Sequence, residues 1–266
     1  VLTIAGSDSG GGAGIQADLK TFQARGCYGM SAITAITVQN TVGVRAIHAV
    51  PPEILQGQID AVLEDIGADA VKIGMLHAPE IVEVVAAALD RHAQRQVVLD
   101  PVMVAASGDR LIAEETVGVL VQRLFPRVAL ITPNLDEAAW LLRREIPSVA
   151  DLEPAARDLL RLGAPAVLLK GGHLPGDTVV DVLAMADGTV EHLQSPRIAT
   201  RNLHGAGCTL SSAIAAGLAL GEALAEAVRS GRQFAARALA AGAEVRTGSG
   251  HGPLNHGFAP QPLRAA

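Results

Sequence analysis

Six short apolar runs, each followed by a polar or glycine-rich motif and most of them by an amphipathic segment, constrain this 266-residue chain more than any other feature. The runs lie at residues 1–5, 32–38, 70–73, 97–99, 129–132 and 166–169 and read as buried strands. Helical spacing fills most of the gaps: Ile15, Leu19 and Phe22 recur on one face, as do Ile54, Ile59, Val62 and Ile66, then Ile81, Val84, Val85 and Leu89. Such alternation implies right-handed crossovers and a mostly parallel, doubly wound sheet. Aromatic residues make up only 2% of the chain against 49% hydrophobic, so Ala, Val, Leu and Ile must build the core, which suits strands buried on both faces. Residues 178–184 and 190–193 read as two further strands around Asp187 and Gly188, a type I′ turn signal, and hence as an antiparallel hairpin at a sheet edge. Two helices, 207–220 and 224–245, close the chain. No low-complexity stretch divides it, and a single α/β domain over 1–266 is expected.

A formal charge of −6 leaves no basic surface of the kind that grips nucleic acid or anionic lipid, so neither is expected as a partner. Every apolar stretch is broken before it reaches 18 residues, and no membrane span is expected. Cys27 and Cys208 are the only cysteines; a core of this size needs no disulfide, which points to a reducing, cytoplasmic setting. Val1 already falls inside a strand pattern, so preceding residues are expected, and the visible chain shows no targeting peptide.

Ligands of doubly wound sheets bind at the carboxyl ends of the strands. The unusual motifs of this chain sit there: residues 6–14, Gln39 and Asn40, Gly74 and Met75, Asp100 and Pro101, Pro133 and Asn134, and 170–173. Familiar phosphate cradles fit poorly. The P-loop pattern survives only as an echo over residues 14–21, with Leu19 where its second glycine belongs. Gly12, Gly14 and Ala17 match a dinucleotide fingerprint, but the second strand ends in Val38, Gln39 and Asn40, without the acidic residue that would hold a ribose. Residues 10–14 are then either a flexible turn or a lid over a polar substrate.

A third cradle fits better. In residues 202–211, Gly205 and Gly207 precede a helix of small and apolar residues, so free backbone N–H groups and the helix dipole would form an anion site. Cys208 falls in the first helical turn, where the dipole would lower its pKa and favour a thiolate able to take a hydroxyl proton; a small buried helix residue is the plainer reading of the same cysteine. Asn134 and Glu137, three apart at the start of another helix, suit magnesium or its waters and equally a capping box. Lys170, with Gly171 and Gly172 after it, can set a fixed charge against a triphosphate or simply end a strand. Asp100 can join a hydrated magnesium site or cap a turn before Pro101. Gln39 and Asn40 offer the donors and acceptors an aminopyrimidine or pyridine edge needs, and Met75 a soft face for such a ring. His251 and His256 lie in a Gly/Pro-rich tail that reads as surface loop, and no role is assigned to them.

Taken together, residues 2–8, 13–21, 39–41, 72–76, 131–134, 170–173 and 204–210 give the chain a close resemblance to the ribokinase-like superfamily, and within it to the hydroxymethylpyrimidine/phosphomethylpyrimidine kinases of thiamine biosynthesis. The resemblance runs from Leu2 to about Pro253. It implies a three-layer α/β/α fold and ATP-dependent phosphorylation, with Mg²⁺, of a hydroxymethylpyrimidine and then of its monophosphate. It implies Cys208 as base, where most of the superfamily carries Asp, and Gly205, Ala206 and Gly207 as the anion hole. By the same resemblance Lys170 and His204 belong to the ATP site; Asp100, Thr132, Asn134 and Glu137 surround magnesium and phosphate, with Asp100 and Glu137 nearest the metal; and Gln39 bonds the pyrimidine, with Gly6, Asp18, Met75 and Val102 nearby. Gly10 departs from the family's first loop, which carries a hydroxyl there, so a group that would help hold a phosphorylated substrate for the second phosphorylation is missing. Family members are often homodimers, though nothing in the sequence marks an interface. A pyridoxal kinase sharing the Cys motif, and a silent ligand-binding protein on the same fold, are the rival readings.

Overall fold

A computed structural model describes residues 1–103 and 112–264. Nine strands among them form one sheet: β1 (Leu2–Asp8), β2 (Met30–Gln39), β3 (Val44–Ala49), β4 (Val71–Ile73), β5 (Val97–Leu99), β6 (Leu130–Ile131), β7 (Ala166–Leu169), β8 (Thr178–Met185) and β9 (Val190–Pro196), in the order β3-β2-β1-β4-β5-β6-β7-β8-β9. The block from β2 to β7 is parallel, while β3 at one edge and β8 and β9 at the other run antiparallel. The helices are α1 (Gly14–Ala24), α2 (Pro52–Asp65), α3 (Pro79–Arg91), α4 (Glu114–Arg123), α5 (Leu135–Leu142), α6 (Leu152–Leu160), α7 (Ala206–Ala219) and α8 (Leu224–Gly242). No helix among the described residues is long and apolar enough to cross a membrane.

Strand periodicity sorts the core into two layers. Leu2, Ile4, Val71, Ile73, Val97, Leu99, Val167 and Leu169 face α2, α3, α4 and α6, meeting Leu55, Ile59, Ile81, Leu120 and Leu152. Their strand neighbours Val1, Val98, Leu130, Leu168 and Leu183 face the other way, onto Phe22 of α1, Ile214 of α7 and Val228 of α8. Helices on both faces of a nearly all-aliphatic sheet give the three-layer α/β/α arrangement.

One strand was not anticipated and two local expectations are corrected. An edge strand, β3, occupies 44–49, where Arg45 and His48 leave no apolar alternation; all but its first residue are exposed, so burial left no trace in the pattern. The hairpin turn is not type I′, which needs positive φ at both central residues. Only Gly188 has it, at +93°, while Gly188 N–H donates to the Met185 carbonyl and Asp187 Oδ1 accepts from Thr189 N–H: a type I turn closed by a left-handed glycine. Helix α8 stops at Gly242, short of Val245.

One buried polar group interrupts the apolar pattern. Lys72 sits between Val71 and Ile73 and is therefore turned onto the α1/α7 layer, with no exposed surface. Its Nζ donates to both carboxylate oxygens of Asp18 on α1 (3.0 and 2.9 Å), and Asp18 also accepts from Thr3 Oγ1 (2.6 Å) and from Ser212 Oγ of α7 (2.7 Å). Burial opposes the charge on Lys72, but Asp18 first, then Cys208 and Asp100, together more than reverse that effect and raise the Lys72 pKa above its ordinary value. The pair thus ties strand to both helices as ions. Removing one partner of a buried pair costs about 3–5 kcal/mol, because the other charge is left uncompensated. Lys72→Met should lower unfolding free energy by roughly that amount and Lys72→Met with Asp18→Asn by clearly less. Urea titrations of the three proteins check this, and a single variant as stable as the parent would contradict it.

Candidate active site

The sheet order reverses beside β1, since β2 lies on one side of it and β4 on the other, and a cavity of about 1370 Å³ opens over the strand ends there. Gly6, Asp8, Gln39, Met75, Asp100, Val102, Asn134, Glu137, Lys170 and residues 204–208 all line it. The motifs separated by up to two hundred residues therefore share one wall.

Two glycine loops interlock at its centre. Asp8 ends β1 and gathers the loop that follows: Oδ1 accepts from Gly10 N–H (2.8 Å) and Oδ2 from Gly12 N–H (3.0 Å) and Ala13 N–H (2.9 Å). His204 Nε2 meets the same Oδ2 at 2.8 Å, joining the first loop to the turn before α7. Burial works to raise the Asp8 pKa, yet the bonds from His204 and the backbone outweigh it and hold the carboxyl below its ordinary value. A Cβ on Gly205 would run into the carbonyl oxygen of Gly12, and one on Gly12 into the His204 ring. Gly205 also has φ +81° as the residue before α7, so glycine is required there twice over. The N–H groups of Gly207 and Cys208, in the first turn of α7, have no partner within the helix and are available to an anion.

Cys208 follows in that turn, partly buried and facing the cavity. The expectation of a lowered pKa is corrected: burial pushes the thiol up to about 11, and the Lys72 ammonium and Gly14 N–H only partly oppose it against the added repulsion of Asp18 and Asp100. At rest the group is a neutral thiol.

On the other side of the turn, Lys170 Nζ donates to Asp100 Oδ1 at 2.9 Å. Burial acts against charge on both, but each holds the other ionised: Lys170 is raised and Asp100 lowered, the latter helped by Lys72 and Thr132. An ideal Cβ on Gly207 would lie 3.2 Å from Lys170 Nζ and 3.3 Å from Asp100 Oδ2, so the absence of a side chain brings the helix start against both charges. Asn134 and Glu137 form a full capping box, with Asn134 Oδ1 accepting from Glu137 N–H (2.9 Å) and Glu137 Oε2 from Asn134 N–H (2.8 Å). Burial pushes Glu137 up to about 7, Lys170 pulling down and Asp100 pushing further up.

Several expected residues take other places. Asp18 does not reach the pyrimidine region: it has no exposed surface, does not line the cavity, and spends its oxygens on Lys72, Thr3 and Ser212. Thr132 is likewise fully buried and donates to Asp100 Oδ1 (2.9 Å), so it orients the carboxylate rather than facing a phosphate. His204 lines the cavity, but Nε2 is committed to Asp8. His256, read as part of a surface loop, is buried, with its Nε2 2.9 Å from Thr209 Oγ1. Asn40 is exposed and caps its own turn, accepting from Val42 and Gly43 N–H. Gln39, Met75, Val102 and Gly6 do line the cavity, and a Cβ on Gly6 would strike Met75 Cε. Asp8 and Lys72 were assigned no role from the sequence; a lysine inside an apolar strand was the available signal, because such a charge must be paired.

Residues 8–255 match the family model of phosphomethylpyrimidine kinase. The chain belongs to that family. It is 50% identical over 256 residues to the hydroxymethylpyrimidine/phosphomethylpyrimidine kinase of Rhizobium meliloti, covering 96% of each chain. It is also 50% identical over 265 residues to a thiamine biosynthesis bifunctional protein of Geobacter sulfurreducens, of which it spans only 53%. An ADP complex of Bacillus subtilis pyridoxal kinase shares the fold at TM-score 0.88 and 38% identity, over 96% of both chains. The kinase is thus a phosphotransferase on the ribokinase-like fold, similar in sequence to pyrimidine kinases of thiamine biosynthesis and in structure to a pyridoxal kinase as well.

Thiolate fraction below a pKa rises tenfold per pH unit, and alkylation follows it. Iodoacetamide should therefore modify Cys208 about tenfold faster per unit between pH 7 and 10, measured by mass spectrometry, while buried Cys27 lags. A rate that levels off below pH 9 would show a more acidic thiol.

Proposed function

We propose that this kinase transfers the γ-phosphoryl group of ATP to the hydroxymethyl oxygen of 4-amino-5-hydroxymethyl-2-methylpyrimidine and then to the phosphate of the monophosphate, as a cytoplasmic enzyme using Mg²⁺. The observation that carries the reading is the convergence of the Gly205–Cys208 turn, the Lys170–Asp100 pair and the Asn134–Glu137 box on one cavity that Gln39 and Met75 also line.

Asp100 and Glu137 suit a magnesium ion, being hard oxygen donors beside a cation-holding lysine. Among the described residues Asp100 Oδ2 has only a 3.5 Å contact, from Ser211 Oγ, and Glu137, pushed up to about 7, would release its proton to solvent as a divalent ion bound. When bound, the metal and nucleotide supply the phosphoryl group and neutralise its oxygens. The rest falls to the chain. Lys170 places a fixed charge beside the anion hole, and Gly207 and Cys208 aim their N–H groups at developing negative charge. Gln39 and Met75 hold the ring so that its hydroxymethyl oxygen faces the turn. Cys208 receives the hydroxyl proton on Sγ once it is deprotonated, and Lys72 beneath it is the charge that favours that form. Cys27 and Cys208 are both free thiols, in keeping with a reducing cytoplasm.

The hydroxyl missing at Gly10 has a partial substitute. Ser9 Oγ bridges to Gln39, donating to its carbonyl (2.7 Å) and accepting from its N–H (2.9 Å), so this loop still binds the pyrimidine wall with a hydroxyl. Acceptance of the monophosphate is proposed on that ground, together with the full-length likeness to kinases named for both substrates. A pyridoxal kinase is disfavoured by the lower identity of the pyridoxal kinase neighbour, 38% against 50%.

A coupled ADP-release assay with hydroxymethylpyrimidine, its monophosphate and pyridoxal tests the reading. Turnover is expected on the first two, and a preference for pyridoxal or no ADP release would overturn it. Cys208→Ala should lower kcat by about a hundredfold or more, the scale of a lost general base, with ATP affinity nearly intact by calorimetry. Since the thiolate is the base, parent kcat should climb with pH from 7 towards 10, and near-normal turnover by Cys208→Ala would remove Cys208 from that role.

A further inference from the structure

The anion hole is held from behind by the C-terminal tail. Thr209 is the residue after Cys208, fully buried, and its hydroxyl donates to the Gly205 carbonyl oxygen at 2.8 Å; Thr209 N–H donates to the same oxygen at 2.8 Å. A hydroxyl has one proton, and here it is spent on Gly205. With that proton on Gly205, the third neighbour, His256 Nε2 at 2.9 Å, is left to donate, a demand that the neutral Nε2–H form meets. Its burial agrees, driving the His256 pKa down to about 4. The result is a relay, His256 N–H to Thr209 O–H to Gly205 C=O, ending on the peptide whose left-handed φ starts the catalytic turn.

The tail that carries His256 is itself pinned on both sides of the cavity. His251 N–H donates to the Thr41 carbonyl (2.9 Å), two residues beyond Gln39; His204 N–H donates to Gly252 (3.1 Å); and Asn255 N–H donates to Ala238 on α8 (3.1 Å). Gly252 and Gly250 allow this by close approach, since a Cβ on the first would strike Asn202 and on the second the Thr41 backbone. A charged imidazole could still donate, but a residue without a donor would leave the Thr209 oxygen short of a partner in a dry site.

We infer that His256 and Thr209 are positioning residues of the phosphoryl-transfer step, fixing the Gly205 peptide and with it the direction of the Gly207 and Cys208 N–H groups. The inference rests on the proposed role of that turn as the anion hole. Neither residue touches substrate. Their removal therefore leaves both reactants bound and weakens only interactions made in the transition state, which lowers kcat while KM stays in place.

Steady-state kinetics of His256→Ala, His256→Gln, Thr209→Val and Thr209→Ser, each with its thermal midpoint, test it. The Ala and Val variants should lose kcat roughly tenfold to a hundredfold, less than a deleted anion-hole donor, with KM for pyrimidine and ATP within about threefold. Gln, which keeps an N–H donor, and Ser, which keeps the hydroxyl, should recover most of that loss. Should His256→Ala fail to fold, Thr209→Val, nearly identical in shape, carries the same prediction. Folded Ala and Val variants with parental kcat, or a loss in KM alone, would overturn the inference. So would Gln and Ser variants as slow as Ala and Val. Parent enzyme without pyrimidine turnover would instead sink the functional reading, so the two failures are distinguishable.

Discussion

The Asp8 carboxylate is the interaction on which the site depends. It collects three backbone N–H groups of the loop that follows β1 and one ring nitrogen from the turn that precedes α7. A loop with this many glycines has a high conformational entropy, and an anion accepting several bonds at once is an efficient way to remove it. Because the same oxygen takes both Ala13 N–H and His204, the geometry of the loop after β1 and of the turn before α7 cannot vary independently. The glycines at 12 and 205 then bring the two backbones closer than any side chain would permit.

Around that join the charges are stacked in two buried pairs, Lys72 with Asp18 and Lys170 with Asp100, and all of these but Asp18 line the cavity. Each pair is close to neutral as a unit, so the protein accommodates four ions in a dry region without a large net field. The pairs differ in what they leave free. Asp18 is saturated by Thr3, Ser212 and Lys72 and does not reach the cavity, whereas Lys170 and Asp100 both line it. That asymmetry separates a supporting ion pair from the one proposed to meet a nucleotide.

Most of the architecture was legible because buried parallel strands need apolar runs and leave them in sequence, and the strand-end motifs were legible because polar residues and glycines stand out there. Burial was the part that did not show. Asp18 and Thr132 carry polar atoms at motif positions and look like ligand contacts, yet each is turned inward onto a neighbouring side chain. Edge strand β3 has no buried face and so no periodicity. His256 sits among Gly and Pro, the composition of a surface loop, but those glycines serve close approach to Asn202 and Thr41. For Cys208, the position at a helix start was read correctly and its consequence was not, since desolvation exceeds the favourable charges nearby.

The bond from His204 to Asp8 spans 196 residues, and that from Ser212 to Asp18 spans 194. Few contacts could be less local, and closing such distances is the slow part of folding for a chain of this kind. A chain growing from its N-terminus can assemble the central parallel strands and the wall bearing Gln39 and Met75 while the turn at Gly205 does not yet exist. Only when α7, α8 and the tail arrive does the first loop acquire His204 and its fixed shape. On the proposed reading, a chain shortened before α7 would keep the wall bearing Gln39 and Met75 but lack the turn assigned to phosphoryl transfer.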